Sequence, residues 1–333
     1  MKTEIYQIYS AEDTNIYTAA QLIKQGKIVA LPTETVYGLG ADATNADAVA
    51  RIFAIKNRPA DNPLIVHLAD AEKLGEYARD IPQQAYDLLQ AFSPGPLSVV
   101  LKKQPDIPDI TTAGLDTVAL RIPGHDVFRA IIKAAGTGIA APSANISTRP
   151  SPTTAAHVLT DLDGRIDAIV DSGPCAVGIE STVVSFAGEH PVILRPGMIT
   201  MQMIKTIITE IKELSGADDC RHSPGTRHKH YSPAAQMTAL SGNTELFAAY
   251  IRSLPNADNS RIFCINGEQN IITGAIPYGG DAAQMARNLF AFLRSADGDG
   301  IKHIYIHAPD DTDEYRGLRN RIEKAAGGIT ELR

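Results

Sequence analysis

With 333 residues, 44% of them hydrophobic and 21% charged, the chain is long and apolar enough for two domains with a core each. Its formal net charge of −7 excludes nucleic-acid binding by bulk charge, so any RNA contact has to be local. Three scattered cysteines, a polar start (MKTEIYQIYSAEDTN) and no apolar run of about 20 residues argue against a disulfide framework, a signal peptide and a spanning helix, so a cytoplasmic location is expected.

In chain order, TNIYTAAQLIKQG predicts a helix stopped at Gly26, then a short buried strand from Lys27 to Leu31. NADAVARIFAIKNR predicts a second helix from Asn45. PLIVHL, LSVVLK, TVALRIP, GIAAPSA, DAIVDSG and STVVSF are short apolar runs bounded by Pro, Gly, Ser or Asn, and read as strands. Helical patterns between them predict an α/β domain with a mixed sheet. Met198 to Leu214 reads as a closing helix. SGADDCRHSPGTRHKHYSPAAQ then loses all periodicity over about 20 residues, a length typical of functional loops or linkers. Beyond it, RIFCIN and IKHIYIHA read as strands, and TELFAAYIRSL, DAAQMARNLFAFLRSAD and EYRGLRNRIEKAAGG as helices. This alternation predicts a small Rossmann-like α/β domain without GxGxxG, hence with no dinucleotide assigned. The expected division is 1–214 for the first domain, 215–236 for the linker and 237–333 for the second domain.

No GxxxxGK[ST], HExxH or GxSxG motif is present. The chemistry lies in less common stretches. LPTETVYGLG packs Thr33, Glu34, Thr35 and Tyr37 after a buried strand, either as a hydroxyl-rich ligand grip or as a self-capping turn. In AIKNRPADNPLIVHL, Lys56 and Arg58 close a helix and Asn62 enters the strand carrying His67. This is a phosphate grip or a pair of cations favouring the helix dipole, with His67 a core histidine on the residues alone. Arg121 interrupts the apolar strand TVALRIP, and a buried arginine demands an anion nearby. APSANISTRPSPTT exposes Ser143, Asn145, Ser147 and Ser151. In GIESTVVSF and VILRPG, Ser181 opens one strand and Arg195 ends the next. Three cationic clusters separated by hydroxyl-rich loops suit a polyanion plus a small zwitterion; carboxylate clusters for a metal are missing.

PTETVYGLG, KNRPADNPLIVH, TVALRIP, PSANIS, SPTTAAHV, GIESTVV, ILRPG and SPGTRHKHYSP, in this order, resemble the threonylcarbamoyl-AMP synthases of the long, two-domain type. The resemblance implies an N-terminal YrdC-like twisted mixed sheet with flanking helices, and a small Rossmann-like accessory domain. It implies an enzyme that makes threonylcarbamoyl-adenylate from L-threonine, bicarbonate and ATP and releases pyrophosphate. The product passes to the downstream tRNA-threonylcarbamoylating enzyme complex. By motif, Thr35, His67, Arg121, Ser181 and the backbone at Ala141 would hold threonine, and Thr33 and Asn145 are additional candidates. Arg58, Asn62, Thr117, Ser143, Ser151, Arg195 and Tyr231 would hold ATP, with Lys56 beside Arg58 as catalytic charge stabilisers. Mg²⁺ would ride on the triphosphate, held by phosphate and water, with no side-chain metal ligands. Asn57 stands where the family commonly has glycine or a basic residue, and Thr148 where its serine-rich loop often has glycine. SPGTRHKHYSP reads as a lid reaching ATP through Tyr231, against a solvated linker or a metal site at His228 and His230. A carbamoyl-adenylating enzyme and a non-catalytic RNA-binding module are the competing functions; direct tRNA contact, if any, would be weak.

Overall fold

The computed structural model describes residues 2–213, 230–254 and 259–333. Among these, residues 2–147, 151–176 and 180–213 form one compact unit, and 148–150, 177–179, 230–254 and 259–333 form another. The short returns at 148–150 and 177–179 were not foreseen. Most of the expected linker and lid, residues 215–229, lies outside the described residues.

The first unit opens with β1 (Glu4–Gln7), α1 (Asn15–Lys24), β2 (Val29–Leu31) and β3 (Gly38–Asp42). It continues through α2 (Ala46–Lys56), β4 (Ile65–His67), α3 (Leu74–Tyr77), β5 (Ala78–Arg79), α4 (Gln83–Phe92), β6 (Leu97–Lys103) and β7 (Thr117–Arg121). Then come α5 (Asp126–Ala135), β8 (Ile139–Ala140), α6 (Ala155–Leu162), β9 (Ala168–Asp171), β10 (Thr182–Ser185), β11 (Val192–Arg195), α7 (Met201–Lys205) and β12 (Lys212–Glu213). The strands make one mixed sheet in the order β1-β9-β2-β3-β8-β4-β7-β6-β10-β11-β12, with β5 paired to β6.

Local chemistry sets the boundaries. Asn45 caps α2 by accepting from the Ala48 N–H, and Asn57 ends that helix in the left-handed region at φ 51°. Asparagine tolerates that conformation, so this departure from the family pattern is conformationally mild. Thr148, at φ 81°, is not mild: a β-branched residue stands where glycine would be unstrained. The closing helix predicted from Met198 to Leu214 shrinks to Met201–Lys205. Thr206, Ile207, Ile208 and Thr209 are β-branched and favour helix poorly; Ile204, Ile208 and Ile211 instead tuck into the core. LPTETVYGLG, read as a turn, runs at Gly38 into β3, where a Cβ on Gly40 would lie 2.6 Å from Leu31.

The two halves of the sheet are covered differently. On one face a single core runs the whole width, from Ala30 and Leu39 to Val99, Leu120, Val184 and Ile193. On the other face α1 and α5 cover β2, β8 and β9, with Ile16, Ile23, Phe128 and Ile131 packed on Val29, Ile139 and Val170. Beyond β4 that face carries, among the described residues, a small cluster of strand residues: Ile65, Ala119, Val100, Val183 and Leu194.

The second unit contains β13 (Gln236–Ser241), α8 (Thr244–Ser253), β14 (Ser260–Ile265), β15 (Ile276–Gly279), α9 (Ala282–Gly298), β16 (His303–His307), α10 (Arg316–Ala326) and β17 (Ile329–Glu331). Its five strands are all parallel, in the order β15-β14-β16-β13-β17. α8 seats Phe247 and Ala248 on Leu240, Ile262 and Cys264. No helix among the described residues is long and apolar enough to cross a membrane.

Candidate active site

Register across the strand-only face builds the first unit's site. Arg121, last in β7, is opposite His67 of β4 and Ser98 of β6; Val183 of β10 is opposite both Ser98 and Arg195 of β11. Residues paired in register share a face, so His67, Arg121, Ser98 and Arg195 form one polar row above the apolar cluster. Ser181, two residues before Val183, joins it: its Oγ lies 2.8 Å from Ser98 Oγ, and Arg195 Nη2 donates to it at 3.1 Å.

The anion that Arg121 demands is Glu34. Arg121 Nη2 donates to Glu34 Oε1 at 2.6 Å, Nη1 to Thr35 Oγ1 at 3.0 Å and Nε to the Gly95 carbonyl at 3.2 Å. The guanidinium is only 4% exposed. Three of its five N–H donors are used, leaving one on each terminal nitrogen, the pair that grips a carboxylate end-on. Thr33 holds the loop: its hydroxyl donates to the Val36 carbonyl, accepts from the Thr35 and Val36 N–H groups and lies 2.8 Å from Thr35 Oγ1.

Glu34 Oε2 is buried without a hydrogen-bond partner. Burial alone would push this carboxyl up; Arg121's charge, the Gly124 N–H and the Arg121 hydrogen bond reverse that and hold it below its usual range. Burial, then the Arg121 charge, pushes the His67 imidazole down to about 3. His67 is therefore neutral near pH 7; its Nδ1 lies 3.3 Å from the Ile139 carbonyl and its ring 5.2 Å from Phe128. Ala141 lies just past β8, its N–H bound to the Ile65 carbonyl on the strand that carries His67.

A second node forms around Lys56, the last residue of α2 and 1% exposed. Its Nζ donates to the Ser143 and Asn145 carbonyls, and the Ser147 N–H returns to the Lys56 carbonyl at 2.9 Å. Ser143 Oγ donates to Asn145 Oδ1 at 2.5 Å. This loop is tied to β3: the Leu39 N–H donates to the Pro142 carbonyl and the Ala144 N–H to the Tyr37 carbonyl. Ser151 Oγ donates to Glu180 Oε1 at 2.5 Å, next to Ser181 in sequence.

Other predicted residues are not brought into the row. Arg58 donates to the Asn62 and Pro63 carbonyls and braces the turn into β4. Thr117 starts β7, about 13 Å along the strand from Arg121 at 3.3 Å per residue, on the same face. Tyr231 belongs to the second unit, where its ring stacks on Phe290 at 5.3 Å and lies 5.6 Å from the Arg321 guanidinium. His228, half of the considered metal pair, lies outside the described residues. Among the described residues no group of three or more His, Cys, Asp or Glu is placed to hold a metal ion.

Sequence reasoning named Glu34 within the LPTETVYGLG turn without giving it a role, and passed over Ser98 and Glu180. Glu34 sits in the quoted TETVY stretch, and the need of a buried arginine for an anion was its signal. Ser98 is the polar interruption in LSVVLK.

The profile of the Sua5, YciO and YrdC family, described as telomere recombination, matches residues 21–197, and that of the threonylcarbamoyl-AMP synthase C-terminal domain matches 199–327. The threonylcarbamoyl-AMP synthase of Bacillus subtilis is 42% identical over 329 residues, covering 96% of this chain and 95% of that protein. That of Pyrococcus abyssi is 40% identical over 323 residues, with 95% of each covered. The crystal structure of P. abyssi Sua5 complexed with L-threonine superposes with a TM-score of 0.90 at 37% identity over the full length of both chains.

Proposed function

The chain belongs to the threonylcarbamoyl-AMP synthase family, and from that premise we propose that it joins L-threonine, bicarbonate and ATP into threonylcarbamoyl-AMP and pyrophosphate. The first unit carries the chemistry, and the product feeds threonylcarbamoylation of tRNA. The observation that carries the reading is the polar row on a sheet face whose apolar floor comes from strands alone.

The reaction brings two anions together. Threonine's amine takes up carbon dioxide or bicarbonate to give a carbamate, whose oxygen displaces pyrophosphate at the α-phosphorus. Repulsion must be neutralised and the reactants aligned in line. Arg121's two remaining N–H groups suit the threonine carboxylate. Thr35 and Ser181, hydrogen-bonded to Arg121 and Arg195, can hand oxygens to the same ligand. His67 contributes as a neutral hydrogen-bonding ring two residues along β4 from the Ile65 that holds the Ala141 N–H, adding no positive charge that would repel threonine's ammonium group as it binds.

The phosphates then meet Arg195 and Lys56, with Ser143, Asn145 and Ser151 as hydroxyl and amide partners. Arg58, Asn62, Thr117 and Tyr231 are the remaining ATP contacts in this reading. Arg58 acts by shaping the loop until the triphosphate arrives. Mg²⁺ supplies charge neutralisation when it enters on ATP. The carboxylates near the row are committed, Glu34 to Arg121 and Glu180 to Ser151, so no side chain is assigned to the ion.

Pyrophosphate release tests the proposal. Release that requires L-threonine, bicarbonate and ATP together is the expected result. Equal release when carbamoyl phosphate replaces threonine and bicarbonate would assign the chain to carbamoyl adenylation instead. RNA binding without turnover would make it a binding module.

A further inference from the structure

The second unit has a cavity that the chemistry above does not use. Its sheet has a topological switch. β13 is followed by α8, and the chain moves outward to β14 and β15; it then returns through α9 to β16, which lies between β14 and β13. Loops leaving the carboxyl ends of β13 and β14 run opposite to the loop leaving β16, and such a divergence opens a crevice. An open cavity of about 440 Å³ lies there, lined by the residues after β13 (Gly242, Thr244, Glu245), after β14 (Asn266, Glu268) and after β16 (Ala308, Asp310).

Its floor is rigid. His307 Nδ1 lies 2.7 and 2.9 Å from the two Glu268 oxygens, and Nε2 lies 2.9 Å from the Gly242 carbonyl. Glu268 also accepts from Thr244 Oγ1 at 2.8 Å and from the Ile265 N–H at 2.9 Å. Phe247 stacks on the imidazole at 4.5 Å. Both ring nitrogens face acceptors, so the imidazole is tied to Glu268 on one side and to the β13 end on the other.

The walls divide into two kinds. Ile265, Met285, Pro309 and the Tyr315 ring give apolar surface, while Glu245, Asp310 and the Asn266 amide give acceptors. Among the described residues no Lys or Arg lines the cavity, and its walls carry the two carboxylates of Glu245 and Asp310. Two carboxylates and no cation repel a phosphate. The volume lies in the range of small-molecule sites. Carboxylates accept well from a vicinal diol, and the apolar wall suits a flat ring.

We propose that this cavity binds a nucleoside lacking phosphate, its ribose hydroxyls on Asp310 and Glu245 and its base against Ile265 and the Tyr315 ring. The site is separate from the adenylate chemistry of the first unit. It is tested by titrating adenosine, guanosine, cytidine and uridine into the full chain, with the ATP site filled by a non-hydrolysable ATP analogue, using calorimetry. One of the four binds saturably, its 5′-monophosphate binds at least about tenfold more weakly, and Asp310→Asn weakens it about tenfold, the loss expected for a charge-assisted hydrogen bond. Pyrophosphate release by Asp310→Asn stays at the wild-type rate. The proposal is overturned if none of the four binds up to its solubility limit, if the monophosphate binds as tightly, or if Asp310→Asn and Glu245→Gln both bind like wild type.

Discussion

Each unit buries an ion pair at the ends of its strands, and the two pairs are satisfied to different degrees. Glu268 fills both oxygens with Thr244, Ile265 and His307. Glu34 engages Arg121 through Oε1 and leaves Oε2 buried with no partner, while Arg121 keeps two N–H groups in hand. A saturated pair is architecture; a partly satisfied one is held under strain by its surroundings and marks where a ligand completes the network. The difference separates the second unit's rigid floor from the first unit's reactive face.

The largest expected effect breaks the first pair. Arg121→Ala leaves the Glu34 carboxylate buried without its cation and should lower stability by about 3–5 kcal/mol, read from denaturant unfolding. A loss near zero would mean Glu34 reaches water and the pair is not buried in solution. Glu268→Gln should cost less, about 1–3 kcal/mol. Hydrogen exchange should place the loss in β14, β16 and α8 and leave β4, β6 and β7 unchanged. Faster exchange spread evenly over both units would contradict the pair's local role.

The third effect is a slope rather than a fixed loss. His67 titrates near 6.5 when unfolded and at about 3 when folded, so its contribution is complete above pH 6.5. It is lost as the pH falls from 6.5 toward 3, at up to roughly 1.4 kcal/mol per pH unit. Unfolding of the wild type and of His67→Asn across pH 7 to 4 should give curves that converge as the pH falls. A constant gap would mean His67 is protonated alike in both states.

Much of this was legible in the sequence, for definite reasons. Arg121 announced itself by interrupting TVALRIP, and the anion it required was Glu34, already present in TETVY. Six apolar runs became strands because turn residues bracketed them. Strand order was not legible: the row exists because β6 and β10 meet in parallel and β7 meets β4, pairings between segments far apart in the chain, alongside the pairing of the consecutive strands β6 and β7. β13, β15 and β17 escaped notice because AAQMTALSG, IPYG and ITE are short or carry small and polar residues. The Met198 to Leu214 pattern had helical spacing, but its β-branched second half cannot sustain the helix. His307 and Glu268 showed no signal, since neither sits in a motif and only the sheet brings them together.

The most direct test is a crystal structure of the protein with L-threonine bound. The account predicts the threonine carboxylate on the two remaining Arg121 N–H groups, with Thr35, Ser181 and the Ala141 backbone within hydrogen-bond reach. Threonine bound away from the strand-only face, with Arg121 still held only by Glu34, Thr35 and Gly95, would contradict it.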